Sequence, residues 1–209
     1  EAVKAQLGGG ARSSTAGAML STGTGAYTLT RTPAGRLKML GSGAFGIVVH
    51  ATTADGLAVA LKLIFCANPG QVNDARQEQV VQNLRAHPNI IRLHEFLEYP
   101  DGPAARALQR DVQSSLPDLG DRDIPRFFRR EMTLHALCIL AWELVDGPEL
   151  FDWFSEKASP NISEAEARGV FTQLVRAVAC LHEQGYAHRD IKLENALVTP
   201  NGEVKLIDF

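Results

Sequence analysis

The stretch LGSGAFGIV, Leu40 to Val48, sets three glycines as Gly41-x-Gly43-x-x-Gly46-x-Val48. In a dinucleotide-binding fold such glycines open a helix, and an acid follows roughly 20 residues later. Here they lead into IVVHATT, an Asp55-Gly56 turn and LAVALKLIF. β-Branched runs resist helix and pack well on a pleated surface, and Asp-Gly reverses a hairpin. With RLKML before the glycines, the pattern predicts three consecutive antiparallel strands, the glycine loop joining the first two. That geometry suits a flap whose backbone N–H groups lie over phosphates, because glycine interposes no Cβ.

Elsewhere the chain is β-rich in its first half and helix-led in its second, joined near Val145, an α+β arrangement. Residues 1–30 are dominated by Gly, Ala, Ser and Thr and read as a disordered lead-in. A helix is predicted over 73–85, with Ala75, Val80, Val81 and Leu84 inward, broken by His87-Pro88-Asn89. IIRLHEFLEY and LHALCILAWELV read as strands, and residues 100–131 between them as an inserted irregular loop of balanced charge. PELFDWFSEK reads as a short helix. Ser163 and Glu166 form a capping box opening a helix to about Glu183, with Ala167, Val170, Phe171, Leu174, Ala177, Val178 and Leu181 at helical spacing. Gly185 ends it, and NALVT and EVKLIDF are two short strands joined by a turn at Pro200-Asn201-Gly202.

Composition narrows the partners. The 209 residues suit one domain, or a small domain with part of another, and 45% apolar with 22% charged residues is globular. A net charge of −3 without a basic stripe gives no case for nucleic acid. Cys66, Cys138 and Cys180 form no CxxC pair and read as buried thiols of a reducing compartment. No apolar run reaches the roughly 18 residues of a membrane span. The expectation is an intracellular protein of the cytoplasm or nucleus.

Two stretches carry chemistry. Lys62 ends VALK; alone it reads as an edge or snorkelling residue, but following a glycine flap it lies where α- and β-phosphates need a cation. Glu78 on the next helix can fix that lysine, or can be a solvated helix-face acid. HRDIKLEN, His188 to Asn195, is harder to explain by packing. Asp190 can orient an attacking hydroxyl and accept its proton, Lys192 can neutralise a phosphate, and Asn195 can hold a metal ion. Thirteen residues on, Asp208 offers a second oxygen ligand suited to Mg²⁺.

GxGxxGxV, VALK, HRDxKxxN and Asp208-Phe209, in this order, resemble the eukaryotic protein kinase family. The resemblance implies a bilobal fold: a β-rich N-lobe over 36–144 with one main helix and an insertion at 100–131, then an incomplete helical C-lobe over 145–209. It implies ATP and Mg²⁺ as cofactors. Leu40, Gly41, Ser42, Gly43, Ala44, Phe45, Gly46, Val48 and Ala60 would line the nucleotide site, and Lys62 would pair with Glu78. Glu143, Leu144 and Val145 would receive adenine, Glu149 would lie near ribose, and Glu194 would complete the cofactor-binding set. Asn195 and Asp208 would hold the metal. Lys192 points to a protein substrate bearing a Ser or Thr hydroxyl. ELFDWF and ARGVFTQLVRAVACLHEQGYAHRDIKLEN resemble the calcium/calmodulin-dependent and energy-sensing kinases.

The chain departs from that pattern in places. Trp142 falls at the gatekeeper position, where its bulk should close the pocket behind adenine. Gln82 replaces a usual apolar residue and could weaken the apolar stack linking its helix to Phe209. Within the insertion, Phe127-Phe128 beside Arg126, Arg129 and Arg130 could be a docking surface for a regulatory partner, or part of a mobile solvated loop. The sequence ends at Phe209, one residue before the family's next glycine. A fragment is expected, exposing the apolar face of helix 164–183. The alternative function is a truncated kinase-like module that binds nucleotide or a partner without catalysis. A small-molecule or lipid kinase fits less well, because HRDIKLEN follows the protein-kinase form.

Overall fold

The computed structural model describes residues 19–21, 26–43, 46–115, 133–157 and 162–209. They divide into two compact units, one within 1–76 and 94–144, the other comprising 77–93 and 145–209.

The first unit is built on an antiparallel sheet. Strands β3 (Met39–Gly43), β4 (Gly46–Thr53) and β5 (Ala58–Cys66) are the three expected around the glycine loop. Asp55-Gly56 makes the second reversal, with Gly56 at φ 88° and Thr53 N–H donating to Leu57 O at 2.9 Å. β7 (Ala136–Glu143) pairs with β5, and β6 (Leu93–Pro100) lies outside β7. The alternation of β5 divides its faces. Val59, Leu61, Leu63 and Phe65 enter the core with Ile47, Val49, Leu137 and Ile139, while Ala60, Lys62 and, across the ladder, Trp142 take the other face. Cys66 and Cys138 are free, buried thiols whose sulfurs lie 3.9 Å apart.

Three expectations need correction here. Part of the stretch read as a disordered lead-in forms strands β1 (Met19–Ser21) and β2 (Ala26–Leu29), and β2 pairs with β4. Tyr27 and Leu29 are apolar enough to join the core; residues 1–18 and 22–25 lie outside the described set. The helix expected over 73–85 starts earlier, as α1 (Pro69–Glu78), and its last part is a 3₁₀ segment, Gln79–Asn83. Asn68 accepts from Gln71 N–H at 3.1 Å, and Pro69 stands at the first helical position. The paired β-branched Val80-Val81 weakens the continuation. α1 buries Val72 and Ala75, Val80 and Leu84 are half-buried, and the side chains of Val81 and Gln82 are outside the described set.

The third correction concerns the insertion. Pro103–Ser115 is not an irregular loop but helix α2, burying Ala105, Leu108, Val112 and Ser115. These recur at helical spacing, and the first three join Leu29, Leu61 and Ile139 in the core. Arg31 meets Asp111 of α2 through two hydrogen bonds, 2.6 and 3.2 Å, a bidentate pair that fixes the helix against the β2–β3 connection. The Phe127-Phe128 and arginine cluster lies outside the described residues.

The second unit follows the sequence closely. α3 spans Leu150–Lys157 and α4 spans Glu164–Glu183. Glu166 N–H donates to Ser163 Oγ at 3.2 Å, and Ser163 N–H to Glu166 Oε2 at 3.1 Å, completing the box. At the other end Gly185 N–H reaches His182 O and Tyr186 N–H reaches Leu181 O, a Schellman closure with Gly185 at φ 74°. α4 buries Val170, Ala177, Cys180 and Leu181. Phe171, expected inward, is 67% exposed because it stands one residue off that stripe. It rims an apolar groove of about 450 Å³ with Leu150, Phe154, Leu174 and Leu193. β8 (Ala196–Val198) and β9 (Val204–Leu206) form the closing hairpin. Residues 77–93, expected with the first half, group here because Ile91 N–H donates to Leu206 O and Leu206 N–H to Asn89 O.

If α2 is core rather than loop, Leu108→Ala should lower stability by roughly 2–4 kcal/mol, as buried leucines do. Arg110→Ala on its exposed side should stay within about 0.5 kcal/mol. Urea unfolding monitored by circular dichroism compares the two; equal effects would return α2 to the status of a loop.

Candidate active site

In the first unit the glycine loop and Lys62 sit on adjacent antiparallel strands. Leu40, Gly41, Ser42 and Gly43 lie in β3, Gly46 and Val48 in β4, while Ala44 and Phe45 are outside the described residues. The glycines are not equally constrained. A Cβ on Gly46 would stand 2.5 Å from Leu63 O, so β4 needs glycine there to lie on β5. A Cβ on Gly41 would meet nothing within 4 Å, so no contact among the described residues requires glycine there. Val48 pairs with Lys62, and Ala60 with Trp142. The strand pleat therefore puts the Lys62 ammonium stem and the Trp142 indole on Ala60's face. Trp142 is buried and Glu143 half-buried at the end of β7.

In the second unit the residues of HRDIKLEN converge. Lys192 Nζ donates to Asp190 Oδ2 at 2.9 Å. Asn195 Nδ2 donates to the same oxygen at 2.8 Å and to Asp190 O at 2.9 Å. These contacts, Lys192 first and Asn195 second, hold the Asp190 carboxyl below its ordinary range, and Asp190 in turn raises Lys192. Asn195 is buried, whereas 62% of the Asp190 side chain is open to solvent. Buried His188 links this loop to the chain end: its Nε2 lies 2.8 Å from Ile207 O, and Asp190 N–H donates to Nδ1 at 3.3 Å. A single tautomer, with the proton on Nε2, satisfies both. Ile207 N–H donates to Asn195 O at 2.9 Å, and the Phe209 ring packs 4.8 Å from His188.

Two non-glycine residues have positive φ among the described residues: Arg189 at 68° and Asp208 at 59°. Each such conformation costs about 1–3 kcal/mol and persists only where its surroundings over-determine it. Both flank the network just described. Glu149, at the start of α3, has its carboxyl raised by partial burial, then by Asp152, Glu194 and Asp208. Four carboxylates thus act on one region.

Oxygen ligands of this kind suit Mg²⁺. Asn195 spends its Nδ2 on Asp190, which leaves the amide Oδ1 as a ligand, and Asp208 supplies a carboxylate in an electronegative setting that a cation would relieve. Among the described residues no three His, Cys, Asp or Glu side chains form a metal cage. The set fits an ion that takes its remaining ligands from phosphate and water.

Of the expected site residues, Asp190, Lys192, Asn195 and the Asp208 segment are brought together, with Glu149 and Glu194 in their field. Lys62, Ala60 and Glu143 are arranged on the sheet of the first unit, Glu78 closes α1 and Val145 begins the second unit's main stretch. Sequence reasoning missed His188's double role and Gly147. A Cβ on Gly147 would fall 1.9 Å from Val198 O, so the Val145–Glu149 backbone needs glycine to reach β8. A glycine three residues after Trp142-Glu143-Leu144 was the available signal.

A family model described as "Protein kinase domain" matches residues 35–209. The chain belongs to the protein kinase family. Curated relatives agree. It is 32% identical over 176 residues to CBL-interacting protein kinase 5 of Oryza sativa subsp. japonica, covering 82% of this chain and 30% of the relative. NUAK family SNF1-like kinase 2 of Rattus norvegicus is 28% identical, over 83% of this chain and 22% of its own length. The probable serine/threonine-protein kinase KIN1 homolog of Enterocytozoon bieneusi is 32% identical, over 83% and 23%. The chain thus spans less than a third of the length of these relatives. No described helix is long and apolar enough to cross a membrane.

The Asp190 contacts predict a titration. Observed by carboxyl NMR, Asp190 should titrate below an ordinary aspartate, and Lys192→Met should move it upward because the largest stabiliser of the charged form is gone. An Asp190 titration that Lys192→Met leaves in place would show that the ion pair does not hold in solution.

Proposed function

We propose that this chain is the ATP-binding and catalytic part of a protein serine/threonine kinase, transferring the γ-phosphoryl group of ATP to a protein hydroxyl. The observation that supports it most is the network joining Asp190, Asn195, His188 and Ile207, because it couples a solvent-open carboxylate to the segment bearing Asp208. Both side-chain bonds to Asp190 fall on Oδ2. Oδ1 is therefore the oxygen that receives the substrate hydroxyl and takes its proton. Lys192, anchored to Oδ2, faces the charge that builds on the transferring phosphoryl group.

Asn195 and Asp208 would hold Mg²⁺, which neutralises phosphate charge when bound. Lys62 holds phosphate oxygens under the glycine flap, with Glu78 assigned to orient it. Glu143 and Val145 would offer their backbone to adenine and Glu149 would lie near the ribose, with Glu194 completing the cofactor-binding set. Trp142, on Ala60's face, fills the space behind the base. The buried free cysteines favour a reducing, intracellular setting. A regulatory partner at 100–131 would not use the apolar face of α2, which is spent on the core.

The test is phosphoryl transfer to a generic Ser/Thr peptide by the full-length protein. Asp190→Asn should lower kcat by about 10²–10⁴, the usual contribution of a general base, and Lys62→Met should abolish turnover. Chelation of Mg²⁺ should stop the reaction reversibly. ATP–Mg²⁺ binding by thermal shift with no turnover under any condition would favour the binding-module reading instead, and unchanged activity in both variants would overturn the assigned roles.

A further inference from the structure

Strand β9 has only three residues and leads directly to Asp208. One of its edges pairs with β8. The other is satisfied by groups from two distant segments. At Leu206 the partners are backbone: N–H to Asn89 O at 2.9 Å, and O from Ile91 N–H at 3.0 Å. At Val204 they are two side-chain amides. Val204 N–H donates to Gln173 Oε1 at 2.9 Å, and Val204 O accepts from Asn89 Nδ2 at 2.8 Å. The amides also bond to each other, Asn89 Nδ2 to Gln173 Oε1 at 2.8 Å. Gln173 Nε2 continues to Gly202 O at 2.8 Å, in the β8–β9 turn. Asn89 is only 7% exposed. Gln173 comes from the middle of α4, so the rigid helix sets the position of the strand.

We infer that Asn89 and Gln173 are positioning residues for Asp208: their paired carboxamides act as a surrogate strand that fixes the register of β9 and hence the place of the Asp208 carboxylate. The inference rests on the reading that Asp208 holds Mg²⁺. Carboxamides suit the task because each offers donor and acceptor, so both Val204 backbone groups and the Gly202 carbonyl are satisfied without a buried charge. Asp208 needs such a clamp, because its left-handed backbone, φ 59°, is held only if the residues on both sides are fixed. Ile207 is held through Asn195 and His188; the amide pair secures the same segment from α4.

The test compares Gln173→Met, Gln173→Glu, Asn89→Ala and the control Thr172→Ala on exposed α4 surface in the full-length protein. In the protein as purified, hydrogen exchange at residues 204–208 should rise roughly tenfold in Gln173→Met and Asn89→Ala, the worth of one net hydrogen bond, while α4 amides keep their protection. Half-saturating Mg²⁺ should rise by about the same factor, with the peptide KM within about twofold. Gln173→Glu keeps the oxygen that both N–H groups use but sets a carboxylate oxygen against Gly202 O, so it should recover only part of the Mg²⁺ response and fall between Gln173→Met and the wild type. Thr172→Ala should match the wild type. Unchanged exchange at 204–208 would overturn the inference, as would lower kcat with unchanged Mg²⁺ half-saturation and exchange raised evenly across the unit, the mark of a merely structural role. Should the wild type show no Mg²⁺-dependent transfer, the kinase reading fails on its own, and the exchange comparison still decides whether the amide pair fixes β9.

Discussion

Hydrogen bonds to both edges of β9 are the constraint on which the second unit rests. Three residues of strand carry too few contacts to hold their own register. Val204, Leu206 and Ile207 are therefore bound by β8, by the 89–91 backbone, by α4 and by Asn195. Residues 77–93 belong to this unit for the same reason: their polar backbone finds partners at Leu206. α4, closed at one end by a capping box and at the other by a Schellman turn, is the rigid member against which the others are set.

Much of this was legible in the sequence, for reasons that differ by element. The capping box, the Gly185 stop and the Asp55-Gly56 turn are local, because each depends on residues within a few positions, and they fold as written. The β4–β5–β7 core was legible because short runs of β-branched and apolar residues mark strands. HRDIKLEN was legible because its acid, lysine and asparagine fall within six residues and meet through bonds of 2.8 and 2.9 Å. The Asn89–Gln173 pair was not, since 84 positions separate two amides that are unremarkable singly.

Helix α2 shows a different failure. Its charged residues and the prolines around it suggested a solvated loop, yet Pro103 stands at the first helical position and Ala105, Leu108 and Val112 share one face. Charge balance describes the outside of a segment; the spacing of its few apolar residues decides whether it has an inside. The strands of the presumed lead-in follow the same rule, with Tyr27 and Leu29 sufficient to seat β2 beside β4.

The glycine loop and the strained residues divide function from architecture. Gly46 and Gly147 are required by the protein's own backbone, where a Cβ would strike Leu63 O or Val198 O. Gly41 answers no such demand, since a Cβ there would meet nothing within 4 Å. Arg189 and Asp208 run the other way: bulky or charged residues occupy a backbone region that glycine would enter at no cost. Packing alone would have favoured glycine at both. Holding a non-glycine residue there costs about 1–3 kcal/mol each, and both positions flank the hydrogen-bonded network that joins His188, Asp190, Asn195 and Ile207.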